Sequence, residues 1–210
     1  MRASTAVPHR RLRDILPTLL APIAWLTLMA LAPGAARAQQ LDVRAISFGI
    51  GGGSSVPVGD ARQSYKTGFN GGAFLRFDFG RLPVALRGDF SYQNFELRSA
   101  AIPPAGAPGG GTGTLLGGLG DIQLYLRGGS VRPYLLAGAG AWSVKSEFDS
   151  DALQARTETR FGARGGAGVL LAFGSLLLYA EGAMDQIAPR TGAPAGSTIR
   201  VVPVTVGVIF

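Results

Sequence analysis

From residue 41 onward the chain alternates between apolar and other residues. In VVPVTVGVIF (201–210), Val202, Val204, Val206, Val208 and Phe210 fall on one face of an extended strand, and Val201, Pro203, Thr205, Gly207 and Ile209 on the other. In GFNGGAFLRFDFG, Phe69, Ala73, Leu75, Phe77 and Phe79 oppose Asn70, Gly72, Phe74, Arg76 and Asp78. In VALRGDFSYQ, Val84, Leu86, Phe90 and Tyr92 oppose Arg87, Asp89, Ser91 and Gln93. In LLGGLGDIQLYLR, Leu116, Ile122, Leu124 and Leu126 oppose Asp121, Gln123 and Tyr125. RFGARGGAGVLLAF sets Phe161, Ala163, Val169, Leu171 and Phe173 against Arg160, Gly162, Arg164, Gly166 and Gly168; LLLYAEGAMDQ sets Leu176, Leu178, Ala180 and Met184 against Tyr179, Glu181 and Asp185. RAISFGIGGG (44–53) and PYLLAGAGAWSVK (133–145) alternate less cleanly and complete a set of eight strands.

The connections alternate in length. Residues 54–67, 99–112, 146–155 and 187–197 form long ones; 80–83, 128–132 and 174–175 form short ones. Tight turns at one end and long loops at the other predict an all-β, eight-stranded antiparallel up-and-down meander, and an even strand number returns both termini to the turn side. No segment after residue 38 has a convincing helical period, and a glycine count of 32 fits that.

The N-terminus is different. Arg2, Arg10, Arg11 and Arg13 precede an apolar run, residues 15–33, and a small-residue A-x-A site at Ala36 and Ala38. This is the pattern of a secretory signal peptide, with cleavage after Ala38. A retained anchor is the alternative, since the run is nearly long enough to span a bilayer; Pro17, Pro22 and the A-x-A site weigh against it. The expected organisation is a signal peptide, 1–38, and one barrel domain, 39–210. Five of the 20 basic and one of the 13 acidic residues lie before residue 39, which leaves 15 and 12. The basicity of the chain is therefore largely that of its first 38 residues, and no basic, aromatic-interleaved patch suggests nucleic acid. The chain has no cysteine, and its one histidine, His9, lies in the signal peptide. Ser-His-Asp, Cys-His and His-ligated metal chemistry are thereby removed from residues 39–210.

Periodicity alone does not say which face points inward. A lipocalin-like barrel is apolar inside; a membrane barrel is the reverse. The charges decide for the membrane. Arg76, Asp78, Arg87, Asp89, Asp121, Arg164, Glu181 and Asp185 are few and mixed in sign, and Lys66 and Lys145 fall in or beside long loops. A water-facing surface of eight strands would carry many more charges. The glycines of the polar face suit a crowded interior, and the opposing Leu, Val and Phe rows match the height of a bilayer. Arg200 breaks the rule by sharing the apolar face of the last strand; it belongs at the loop-side interface, where a long side chain reaches head groups. The last strand is expected to pair with the first and leave no edge, with Phe210 in an aromatic girdle beside Phe79 and Phe173.

SVPVGDARQSYKTGFNGGAFLRFDF, RPYLLAGAGAW (132–142) and a terminal Phe210 after alternate valines resemble the small outer-membrane β-barrel family, the outer-membrane-protein-A-like and opacity-protein-like group. The resemblance covers essentially all of 41–210. It implies a bacterial outer-membrane location. It implies an assembly signal in Val206, Val208 and Phe210, recognised by the outer-membrane insertion machinery. The family shares a fold rather than one function, and no catalytic residue carries over. No peptidoglycan-binding domain is expected after the barrel.

Among candidate chemistries, Arg76, Asp78, Arg87, Asp89, Asp121, Arg164 and Glu181 are expected to form a structural cluster of paired charges filling the barrel; a narrow gated path or proton-linked site is the functional alternative. GIGGGSS (49–55) and GAPGGGTGT (106–114) lack the phosphate-loop pattern. Glu147, Asp149 and Asp151 lack the spacing of a Ca²⁺ loop. Trp142 and Tyr65 are expected to be interface anchors. No cofactor, metal or catalytic residue is expected. The expected partners are outer-membrane lipids, the insertion machinery and an external ligand held by the loops. The function expected is a structural or surface-interaction role, not an enzyme's. The alternatives are a narrow channel or transporter for small or hydrophobic solutes, a soluble periplasmic binding barrel, and a lipid-modifying enzyme.

Overall fold

The computed structural model describes residues 45–80, 82–98, 110–127, 129–148, 155–173, 176–189 and 198–210; the signal-peptide segment lies outside them. The elements are β1 (Ile46–Val58), α1 (Ala61–Ser64), β2 (Gly68–Asp78), β3 (Val84–Glu96), β4 (Gly111–Tyr125), β5 (Val131–Phe148), β6 (Arg156–Phe173), β7 (Leu176–Ile187) and β8 (Ile199–Ile209). Each strand pairs antiparallel with the next, and β8 pairs with β1 from Gly49↔Ile209 to Val58↔Arg200. The sheet is a closed up-and-down barrel of eight strands, so the alternation reads out as an outer and an inner face with no edge left.

The face assignment holds on the six strands that alternate cleanly. The outward rows carry exposed Phe48, Phe69, Leu75, Phe77, Leu86, Phe90, Ile122, Leu135, Phe161, Met184, Val204 and Val206. The inward rows carry buried Arg76, Arg87, Gln93, Asp121, Gln123, Arg164, Glu181 and Asp185. Phe79, Phe173 and Phe210 are all exposed at the turn end; Phe69 and Phe161 are exposed toward the loop end. Phe69 and Phe79 are ten residues apart, about 33 Å along a strand. At a strand tilt of roughly 40° this is about 25 Å along the barrel axis, the height of a membrane barrel's apolar band.

Three places differ from the sequence reading. β1 continues through residues 54–58, which read as loop; the β8 ladder extends it to Val58. β2 leaves β1 at Ser55↔Gly68, so Pro57 sits where one side of the strand is unpaired, a place where proline is tolerated. β5 and β6 pair out to Ser146↔Arg156, which places Ser146–Phe148 in strand rather than in the polar loop. The third difference is the short helix α1, between the turn at Gly59 (φ 59°) and β2. Its Ala61 is buried among side chains at the loop end of the barrel. Pro203 marks a flaw inside β8: the β7–β8 register stops at Gly182↔Val204 and resumes at Asp185↔Val201, across the residue that has no N–H to give.

Candidate functional site: the barrel interior

The inward side chains form three layers. At the loop end, Ala61, Tyr65, Phe95, Leu97, Leu115, Leu119, Trp142, Val144, Ile187, Ile199 and Val201 make one apolar cluster. At the turn end, Phe74, Ala85, Tyr125, Tyr134, Leu136, Leu170, Tyr179 and Ile209 make another. Between them lie Arg87, Asp89, Asp121, Arg164, Glu181 and Asp185. The sequence reading of an interior filled by charges therefore needs correction. Most of the buried charges occupy the middle, and apolar and aromatic groups pack toward both ends, with the Arg76–Asp78 pair among those of the turn end.

Arg87 is the hub of the middle layer. Its Nε and Nη2 donate to Asp89 Oδ2 and Oδ1 at 2.8 and 2.6 Å, and its Nη1 and Nη2 donate to Glu181 Oε2 and Oε1 at 2.6 and 3.2 Å. The planar guanidinium gives two hydrogen bonds to each of two carboxylates, four in all, where a lysine has only three donors. Arg164 Nε and Nη2 donate to Asp185 Oδ1 and Oδ2 at 2.6 and 3.2 Å, while its Nη1 lies 3.5 Å from Asp89 and 3.7 Å from Asp121. Polar neighbours fill the remaining valences. Tyr134 Oη donates to Glu181 at 2.7 Å, and Gln93 Nε2 donates to Asp185 at 2.7 Å. Ser55 Oγ donates to Gln93 Oε1 at 2.9 Å. Each guanidinium also lies against a ring of an adjoining layer: Arg87 is 4.0 Å from the Phe74 centroid, and Arg164 is 5.7 Å from that of Trp142. Two guanidiniums thus face four carboxylates, and Asp121 is the least satisfied of these, with neither oxygen accepting a hydrogen bond.

Arg76 and Asp78 do not join this layer. They pair with each other at 2.9 Å near the turn end, where Asp78 also accepts from Tyr125 Oη at 2.7 Å. Arg132 lies 4.8 Å from the Tyr125 ring centroid, so two arginines share one tyrosine there.

Tyr65 and Trp142 are not interface anchors. Trp142 is fully buried and Tyr65 nearly so, both inside the loop-end layer. The Tyr65 ring packs at a tilt against Phe95, centroids 5.5 Å apart, and burial pushes its phenol above the ordinary value. The reason is parity on β5. Tyr134, Leu136, Gly138, Gly140, Trp142 and Val144 share the inward face, and glycines clear the space for the indole. A Cβ on Gly117 would stand 2.6 Å from the Trp142 ring. Sequence reasoning also missed Tyr134 and Arg132. The loop acids divide: Glu147 pairs with Lys145 at 2.8 Å, and Asp149 and Asp151 lie outside the described residues. Among the described residues no group of three His, Cys, Asp or Glu side chains is placed to hold a metal ion.

An antiparallel eight-stranded barrel with an apolar outer band and ionic pairs inside defines a membrane-spanning barrel of the outer-membrane class. The chain belongs to the outer membrane protein beta-barrel domain family, whose model matches residues 20–178. It is accordingly a bacterial outer-membrane protein. Two solved structures share the fold. Neisserial surface protein A is 14% identical, with a TM-score of 0.56 over 79% of this chain and 96% of its own. A major outer membrane protein from Thermus thermophilus is 13% identical, with a TM-score of 0.50 over 80% and 99%. No curated protein matches the chain.

Proposed function

We propose that the protein is a closed, non-conducting barrel with a structural role in the envelope, whose extracellular loops make contacts outside the cell. The filled interior carries this reading. The cavity beside Arg87, Asp89, Arg164 and Glu181 is about 30 Å³, room for a water or two. The long connections gathered at one end, with β5 and β6 extending toward them, support the loops as the contact sites. The cluster of Arg76, Asp78, Arg87, Asp89, Asp121, Arg164 and Glu181 acts in this reading as ballast that fixes the packing, without a catalytic part.

Single-channel recording on the purified barrel in planar bilayers tests it. The expected trace is flat. Discrete, reproducible conductance steps that change on substitution of Arg87 would make the middle layer a gate and replace this proposal with the narrow-channel reading. Export by a cleaved signal peptide belongs to the same proposal. The intact mass of protein recovered from outer membranes is expected to fit a chain starting at Gln39; a mass retaining residues 1–38 would mean an anchor instead.

A further inference from the structure

Among the described strand residues, one arginine stands on the lipid-facing side. Arg200 heads the outward column Val202, Val204, Val206, Val208 and Phe210 and is exposed. Ten residues separate it from Phe210, again about 33 Å of strand and about 25 Å of height at the usual tilt. With Phe210 at the turn-side interface, Arg200 lies at the level of the outer-leaflet head groups. Its Nε donates to Gln186 Oε1 at 3.2 Å, and its Nη1 reaches toward Gly59, 3.9 Å from where a Cβ would be. Arg62, on α1, is held at the same seam: its Nε donates to the Pro57 carbonyl at 3.2 Å. Val58, the next residue, is the register partner of Arg200. The two guanidiniums therefore bracket residues 57–59 at the loop end of the β1–β8 seam. Neither has a carboxylate within ion-pair distance among the described residues. The sequence between β7 and β8, residues 188–198, contains Arg190 and no acid.

We propose that Arg62 and Arg200 bind the phosphate groups of an outer-leaflet lipid, the phosphorylated head group of lipid A. The chemistry fits. Guanidinium forks pair with phosphate oxygens, and each side chain makes its hydrogen bond through Nε, so its Nη donors remain for an anion. Basic side chains at the head-group level are drawn to anionic lipid, and the apolar column below Arg200 lies alongside the acyl chains. This inference rests on the outer-membrane location and not on the proposed loop role.

The test is a titration of the full barrel in detergent, followed by native mass spectrometry. The probes are bisphosphorylated lipid A, dephosphorylated lipid A and inorganic phosphate. The bisphosphorylated lipid is expected to bind wild type at least about tenfold more tightly than the dephosphorylated one, the scale of a charge-assisted contact. Arg62→Ala/Arg200→Ala is expected to abolish that preference. Arg62→Lys/Arg200→Lys should keep part of it, and Arg127→Ala, at the opposite end, all of it. Equal binding of the two lipids by wild type would overturn the proposal, as would a double alanine variant that keeps the preference. Inorganic phosphate binding as tightly as lipid A would also overturn it, identifying a soluble-anion site. If the alanine pair fails to show the heat-dependent gel shift of a folded barrel, the wild-type comparison of the two lipids decides alone.

Discussion

At the scale of single residues, the interior sets one strong constraint: a buried ion is tolerable only in company. Arg87 serves Asp89 and Glu181 together, so removing it strands two carboxylates in a closed layer. Breaking a buried pair in this way destabilises a protein by about 3–5 kcal/mol. Arg87→Ala is therefore expected to lower the temperature at which the folded gel band converts to the unfolded one, and to lower the urea midpoint in lipid. Arg62→Ala, which removes an exposed group with one backbone contact, should leave both unchanged. Equal behaviour of the two variants would show that the middle layer contributes nothing particular to stability. The sign mixture along the polar faces made the inward charges legible from sequence. Their partners were not legible. Arg87 reaches Glu181 across 94 positions, and Arg76 stays local with Asp78, although both arginines occupy equivalent-looking places in an alternating strand.

At the scale of elements, strand identity was written in the period of two, but strand ends were not. Residues 54–58 carry the serine, proline and small residues of a loop, yet the ladder with β8 holds them extended. Tertiary pairing overrides local preference there, as it does at Ser146–Phe148. Trp142 is the sharpest case. An aromatic residue near a strand end suggests an interface anchor, while counting by twos from Tyr134 puts it inside. The glycines that face it, Gly117 and Gly162, were the available signal. The two readings differ in what the indole touches. In protein starting at Gln39, Trp142 is the only tryptophan, since the other, Trp25, lies in the signal segment. Its emission in bilayers containing brominated acyl chains is expected to be unquenched, because no part of the ring meets lipid. Strong quenching by bromines placed near the head groups would restore it to the interface and disprove the observed β5 parity.

At the scale of the whole molecule, one decision governs everything else: which face meets the membrane. The same alternation would serve a soluble barrel with its faces reversed, and only the scarcity and mixed sign of the charges tipped the sequence reading. The outward column of β8 provides a direct gauge, because it runs from Arg200 at one interface to Phe210 at the other with nothing but valine between. An arginine facing lipid costs about 2–4 kcal/mol at the bilayer midplane and about 0–1 near the interfaces. Replacing Val202, Val204, Val206 and Val208 singly by Arg should therefore trace a profile in unfolding free energy. The largest losses are expected at Val204 and Val206, with smaller ones at Val202 and Val208, where the side chain can reach a head-group region. The natural Arg200 marks the cheap end of that profile. A flat and small response along the column would mean that these valines face water. A monotonic rise toward Val208 would mean that the band sits lower on the barrel than the Phe69–Phe79 spacing implies. A maximum in the middle is the outcome that only a bilayer-spanning strand, with its interfaces at Arg200 and Phe210, produces.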